Sequence, residues 1–399
     1  MRNLHAGKSV LTGFQNRGVH ISRTTLCDGD SPVPAPAKGR KKRKSLADPP
    51  SADEAARRWI MGHAQQVNGG ASNSLLAELH AARTARRGPP DAGTEPSVAH
   101  QVGASASGAA EGACEDAAAR SGTGVRGAAL SLLTWNLWFA EDVELEVRMA
   151  AVGHIIDQIG GGPAGYPTFL CFQEVTENIY ALLSSKGWWR RYVASPVPYD
   201  RPYFTALLHL RDAVQHPQPA RLHDFSNSVM GRGLQEVGGE VCGRGVRVAT
   251  THLESPCGWN QLYSKPRVAQ CKEALAMLGR AQEPNLVFLG DMNWGAPEDG
   301  EPPLPPGWVD VWEELHAGDP GLTYDPKANP MLGPYNRIRK RLDRVFARLA
   351  HWRPARMRMV GTQPIAGASY VKTGGKRGPL TLPVLPSDHF GLHVELEPI

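Results

Sequence analysis

Seven side chains of this chain are of the kinds that hold a hard cation and act on a phosphate ester: Asn136, Glu174, His252, Asp291, Asn293, Asp388 and His389. Carboxylates with amides and few nitrogens form an oxygen-rich environment suited to Mg²⁺ or Mn²⁺. Two histidines raise the question of Zn²⁺, but a third nitrogen or sulfur ligand at zinc spacing is missing. No cysteine or serine stands beside a base in a nucleophile-elbow setting, so covalent catalysis is disfavoured. The set suits attack of water on a phosphodiester, with charge stabilised by a metal. In that chemistry His252 and His389 would donate to non-bridging oxygens and Asp291 would take a proton from water.

The stretch LVFLGDMNW, Leu286 to Trp294, indicates what must position such groups. It reads as a buried strand up to Gly290, then places Asp291 and Asn293 on alternate positions. Three other segments end in the same way: ALSLLTWN at Asn136, PTFLCFQE at Gln173 and Glu174, and VRVATTHLE at His252 and Glu254. Near-continuous apolar runs of this length indicate strands buried on both faces. Between them, Val152, Ile155, Ile156 and Ile159 recur at helical spacing and stop at Gly160, and Val268, Cys271, Leu275 and Leu278 stop at Gly279. Strands alternating with helices predict an α/β layered fold, in which ligand-binding groups gather beyond the carboxyl ends of the strands. A fifth segment, LPSDHFGLHVEL, places Asp388 and His389 before a short β-like run.

Taken singly, each residue has a plainer reading. Asn136 could form a turn, Glu174 could open a helix, and His252 could be a satisfied core histidine. Asp291 with Asn293 could build an Asx turn. Four strands ending alike argue for a common cleft.

The 41% hydrophobic and 21% charged content is that of a soluble globular protein, and no apolar run is long enough for a membrane span. Six cysteines without a C-x-x-C pair argue against a zinc site or a disulfide framework. The net charge of +5 permits a polyanionic partner without demanding one. Of ten Trp, nine Tyr and nine Phe, only Phe14 and Trp59 precede residue 128. So few aromatics, beside Ala-Gly-Ser tracts, cannot offset chain entropy, and residues 1–127 are expected to be mostly disordered, with a short helix possible at 52–65. Residues 128–399 then form one large domain. In the tail, KGRKKRKS at 38–45 reads as a nuclear address, whereas the acid-free first 27 residues have the composition of a mitochondrial or plastid transit peptide.

The motifs TWN, FQE, THLES, GDMN, RLDR and SDH, in this order over residues 130–397, resemble the endonuclease/exonuclease/phosphatase family. The resemblance implies a DNase I-like four-layer sandwich of two packed mixed β-sheets flanked by helices. Within that family, YFTALL (203–208), SNSVMGRGL (226–234), THLES and LTYDPKANPML (322–332) are similar to the 5′-tyrosyl-DNA phosphodiesterases. That likeness implies metal-dependent hydrolysis at DNA ends carrying a 5′-tyrosyl adduct, by a monomer with no membrane partner. It further implies Glu174 as the principal Mg²⁺ or Mn²⁺ ligand, with Asn136 and Asp388 near the metal. Asp291 would activate water with Asn293, while His252, Ser255 and His389 hold the phosphate and Asp343 orients His389. Tyr203, Arg232 and Tyr324 would line the DNA side.

The chain departs from the pattern at three places. Trp138 stands where many relatives have an acid, which implies a smaller metal set. Trp294–Gly295–Ala296 stands where the animal enzymes have Leu-Arg-Asp, and Tyr324 where they have Trp. Other readings are an abasic-site endonuclease, an RNA deadenylase or a phosphoinositide phosphatase of the same fold, or a scaffold without activity. No amphipathic membrane helix supports the lipid substrate, and a scaffold has no need of Glu174, Asp291 and His389 together.

Overall fold

The computed structural model describes residues 130–160, 162, 165–257, 261–373 and 378–399. The N-terminal tail, with both address segments and the 52–65 stretch, lies outside the described residues.

The first sheet contains β1 (Leu130–Asn136), β2 (Phe169–Val175), β3 (Tyr192–Ala194), β4 (Phe204–Leu210), β11 (Trp352–Val360) and β14 (Gly391–Pro398), in the order β11-β14-β1-β2-β4-β3. The second contains β5 (Arg221–Asp224), β6 (Gly233–Val241), β7 (Arg244–His252), β8 (Asn285–Asp291), β9 (Val309–Asp310) and β10 (Asp343–Arg348), in the order β5-β6-β7-β8-β10-β9. A small hairpin joins β12 (Ser369–Lys372) to β13 (Leu380–Pro383). Helix α1 (Leu145–Ile159) crosses between β1 and β2, α2 (Glu177–Ser184) follows β2, α3 (Ser264–Leu278) crosses between β7 and β8, and α4 (Val311–Leu315) follows β9. Both predicted helices are present, each ending at the glycine expected to stop it.

Each sheet is mixed in the same way. One central pair is parallel, β1 with β2 and β7 with β8, and the other pairings are antiparallel. The parallel registers put Asn136 opposite Gln173 and His252 opposite Asp291, so both pairs finish at one end. Their antiparallel neighbours must begin at that end. Asp343, the first residue of β10, therefore lies opposite Asp291, and Asp388 and His389 fall just before β14. Topology thus delivers polar residues both from strands that end and from strands that start.

Three buried layers hold the sheets and helices together. Leu132, Phe169 and Cys171 of the first sheet meet Val248, Val287 and Leu289 of the second in the central core. Helices α1 and α2 cover the outer face of the first sheet, through Met149, Val152, Ile156 and Ile179 on Leu170 and Phe172. Helix α3 covers the second through Cys271, Ala274 and Leu275 on Leu286 and Phe288. The result is the four-layer α/β/β/α sandwich. The two sheets also share a buried polar contact: Gln173 Nε2 donates to Thr250 Oγ1 on β7 at 3.1 Å and to Thr134 Oγ1 on β1 at 3.1 Å. A buried amide without such partners would lose about 1–3 kcal/mol, so this residue fixes how the sheets face one another just below the polar end.

Gly290, directly before Asp291, has φ of +148°, and a Cβ there would lie 2.1 Å from the Thr251 carbonyl oxygen of the paired strand. Backbone cannot yield as a flexible side chain can. Gly290→Ala should lower stability by about 3 kcal/mol in urea melts and should also depress activity, because β8 must shift where it carries Asp291. A variant with unchanged midpoint and unchanged activity would show that the strands tolerate the methyl group.

Candidate active site

At the shared strand ends the first and second sheets touch through polar side chains. Asn136 Nδ2 donates to Asp291 Oδ2 at 3.0 Å, and Asn136 Oδ1 accepts the Trp138 N–H at 3.0 Å. His252 Nε2 lies 3.4 Å from Asp291 Oδ2 and 4.0 Å from Glu174 Oε1. Glu174 arrives by a local irregularity. Phe172 pairs with Ala206 and Val175 with Phe204, so β2 carries one residue more than β4 over that interval, a β-bulge. Glu174 takes a left-handed backbone conformation there, φ 56°, and its side chain is 14% exposed. Its Oε2 accepts the N–H of Phe139 at 3.2 Å.

A second cluster forms around His389. Its Nδ1 meets Asp343 Oδ2 at 2.9 Å, and Tyr324 packs edge-on to the imidazole with centroids 5.2 Å apart. Tyr324 is half-buried, bridged to Lys340 through backbone bonds, and its hydroxyl accepts from Asn336 Nδ2 at 3.0 Å. Asp388 is held by its own backbone and by its neighbours: its carbonyl accepts from Asn329 Nδ2, and Ser387 Oγ donates to its carboxylate at 3.3 Å.

The third cluster is a network around His252. Arg232, 4% exposed, places one guanidinium nitrogen 3.0 Å from His252 Nδ1 and another 2.9 Å from Ser255 Oγ. Its guanidinium also lies over the Tyr203 ring, 5.2 Å from the centroid, and that ring stacks on Phe139. Asn293 Nδ2 donates to Ser255 Oγ and to the Leu253 carbonyl, both at 3.1 Å. Its backbone N–H donates to Asp291 Oδ1 at 2.9 Å, so the Asx-type turn and the site role coincide. Arg232 thus bonds His252 and Ser255 and lines one pocket with Tyr203 and His252.

These contacts set protonation. Arginine is a donor only, so His252 Nδ1 must accept and its proton sits on Nε2, pointing at the carboxylates. Burial and the Arg232 charge push His252 well below its ordinary pKa, leaving it neutral. Burial also opposes charge on His389, but Asp343, Asp388 and Asp291 raise it well above 6.5 and make it an imidazolium. Asp291 is lowered despite its burial, by His252 and His389 and by the bonds from Asn136 and Asn293. Glu174 is pushed up to about 7 by burial and by Asp388.

A carboxylate that is costly to ionise among other carboxylates fits a place for a cation. Among the described residues, ligand atoms of Glu174, His252 and Asp291 lie within 4.8 Å of one another, as do those of Asp291, Asp343 and His389. Asp343 Oδ1 is buried without a hydrogen-bond partner. Asp388, expected beside the metal, lies outside both groups and acts on Glu174 through its charge, while the amide of Asn136 touches both Glu174 and Asp291.

Two residues that hold this arrangement have no role in the sequence reading, although Glu254 stands there at a strand end. Glu254, fully buried, accepts from Ser228 Oγ at 2.8 Å, Val229 N at 3.0 Å and Gln270 Nε2 at 2.8 Å, and so ties the loop that carries Arg232 to helix α3. Arg148, fully buried on α1, donates to carbonyls of the segment after Asn136. The signal was a charge on the apolar stripe of a helix, four residues before Val152.

The sandwich and the site together define a class, and the sequence agrees. Residues 133–389 match the pattern of the Endonuclease/Exonuclease/phosphatase family, and the chain belongs to that family. Among characterised relatives it is 29% identical over 254 residues to a 5′-tyrosyl-DNA phosphodiesterase of Caenorhabditis elegans, covering 61% of this chain and 64% of that protein. It is also 29% identical over 234 residues to the one of Caenorhabditis briggsae, covering 56% and 60%. The chain therefore spans less than two thirds of the length of either relative. Its fold is similar to D. rerio TDP2 complexed with single strand DNA product, with a TM-score of 0.55 and 23% identity over 67% of this chain and 98% of that one. Truncated Caenorhabditis elegans TDP2 gives the same TM-score and identity, over 67% and 97%.

His389 provides a test of these charges in the metal-free protein. Because its pKa is raised on folding, its contribution to stability is complete below the unfolded value near ~6.5 and is lost as pH rises through the folded value. Asp343→Asn removes the nearest carboxylate. The His389 ring signals in NMR titrations should then move to a lower midpoint, and the loss of stability above neutral pH should become shallower. An unmoved midpoint would mean that Asp343 does not set this charge.

Proposed function

We propose that this chain is a divalent-cation-dependent phosphodiesterase that frees tyrosine from DNA 5′ ends. The observation that carries the reading is the convergence of Glu174, Asp291, His252 and His389 at one end of both sheets. The names of the two nematode relatives, and a fold neighbour complexed with single strand DNA product, support DNA as the substrate.

Each residue has a part in that reaction. Asp291, ionised and oriented by Asn136 and the Asn293 N–H, positions water and accepts its proton. The oxygen attacks phosphorus, the bond from phosphorus to the tyrosine oxygen breaks, and DNA keeps a 5′ phosphate. His389 donates from Nε2 as a cation and His252 donates from Nε2 as a neutral ring, so two different donors face the phosphate oxygens. Asp343 keeps His389 charged, and Arg232 keeps the His252 proton on the working nitrogen. Glu174, with Asn136 and Asp388 beside it, would hold Mg²⁺ or Mn²⁺, which supplies positive charge opposite the charge that develops on phosphate. Gly295, where the animal enzymes are expected to carry the Arg of Leu-Arg-Asp, is exposed but offers no side chain, while Trp294 before it is buried and donates from Nε1 to the Gly300 carbonyl. Strand contacts must come from elsewhere, and Tyr203 and Tyr324 are the aromatic surfaces beside the phosphate position.

Release assays on 5′-phosphotyrosyl DNA, abasic DNA and poly(A), each with Mg²⁺ and with EDTA, compare this reading with the other nucleases of the family. Tyrosine release should dominate and should stop in EDTA, and Glu174→Gln should be inactive while remaining folded. Dominant cleavage of abasic sites or poly(A) would replace the substrate, and a fully active Glu174→Gln would sink the mechanism.

Tyr324→Ala probes the strand contact. Base stacking contributes ~1–3 kcal/mol per base, so kcat/KM on tyrosyl DNA should fall roughly 10- to 100-fold with little base preference. A nitrophenyl ester of thymidine 5′-phosphate, with no strand to stack, should be nearly unaffected. Equal losses on both substrates with an earlier melt would make Tyr324 a packing residue of His389.

A further inference from the structure

Segment 137–143, between β1 and α1, is held from beneath by one side chain. Arg148 is 0% exposed and lies on the same face of α1 as Val152, Ile156 and Ile159. Among the described residues it forms no ion pair. Taking a guanidinium out of water costs several kcal/mol unless its donors are met, and here backbone carbonyls meet them. Nε donates to Val143 O at 2.8 Å, Nη1 to Leu137 O at 3.1 Å and Trp138 O at 3.3 Å, and Nη2 to Trp138 O at 3.2 Å and Ala140 O at 2.6 Å. Its guanidinium also lies 4.9 Å from the centroid of the Trp138 ring.

The segment so held reaches the site twice. The Trp138 N–H donates to Asn136 Oδ1, and the Phe139 N–H donates to Glu174 Oε2. Trp138 does this from the left-handed region, φ 59°, a conformation a bulky residue keeps only when its surroundings impose it. The imposing contact is visible, since two guanidinium nitrogens share the Trp138 carbonyl. Burial lowers Arg148 to about 10 while Asp388, Asp142, Glu174 and Glu141 oppose that fall, so it remains a cation at neutral pH and faces the acidic end of the sheets.

We propose that Arg148 is a positioning residue: by fixing the carbonyls of 137–143 it holds the Phe139 N–H on Glu174 and sets that carboxylate for a divalent cation. The proposal rests on the reading of Glu174 as the cation's ligand. The guanidinium fork is required as well as the charge. Lysine has the charge but only a compact ammonium, which cannot span carbonyls from Leu137 to Val143.

Mn²⁺ binding to the full chain, measured by calorimetry without substrate, tests this beside melting curves and amide exchange. Arg148→Lys should fold, bind Mn²⁺ roughly 10- to 100-fold more weakly, the usual effect of losing an outer partner of a ligand, and exchange faster at 137–143 than elsewhere. Arg148→Gln should bind at least as weakly; if it does not fold, Arg148→Lys alone carries the comparison. Wild-type Mn²⁺ affinity in a folded variant overturns the proposal, as does a general loss of exchange protection with the affinity intact. A wild-type chain that binds no Mn²⁺ removes the cation reading itself, which is a separate failure.

Discussion

The hydrogen bond from Asn136 to Asp291 joins the last residue of one sheet's central strand to the last residue of the other's. It is possible only because both parallel pairs finish at the same end and the sheets are packed with those ends level. Gln173 and Thr250 fix that packing just below, where a slip would strand a buried amide. The antiparallel partners of these strands then have no choice about where they begin. His389, just before β14 of the first sheet, and Asp343, the first residue of β10 in the second, meet at 2.9 Å because their strands enter at the same end. The cleft is thus a property of strand direction as much as of side chains.

Charge is distributed over this end by partners rather than by burial alone. Both imidazoles are buried, and burial alone would neutralise both. A cation beside His252 and carboxylates beside His389 send them in opposite directions. Two donors of different strength result from one residue type. The acids divide similarly: Asp291 is stabilised by donors on both oxygens, whereas at Glu174 burial and the Asp388 charge outweigh its donors.

Much of the site was legible because strand-end polar residues break an apolar run. Asn136, Glu174, His252 and Asp291 each announce themselves in this way, and α1 and α3 show their periodicity and their terminal glycines. The bulge at Glu174 was not legible, since an extra residue in one strand is defined only against its partner β4. The bond from Arg232 to His252 Nδ1 was not legible either, since a loop position says nothing about which side chain it will meet. The roles of Glu254 and Arg148 were not legible for a related reason: their partners are a hydroxyl, an amide and backbone groups, which leave no complementary charge in the sequence to look for.

Glu174, Trp138 and Asn293 all hold left-handed backbone at the same end of the molecule. At Glu174 and Trp138 this costs about 1–3 kcal/mol each, a sizeable part of the margin by which a domain stays folded, whereas asparagine adopts it readily. Glycine would relieve the strain at Glu174 and Trp138 and would lose the carboxylate and the indole. Glu144, His216, Cys242 and Tyr263 hold positive φ elsewhere, but at the strand ends a relieving glycine would also remove groups of the proposed site, so selection for a higher melting temperature alone would work against that site.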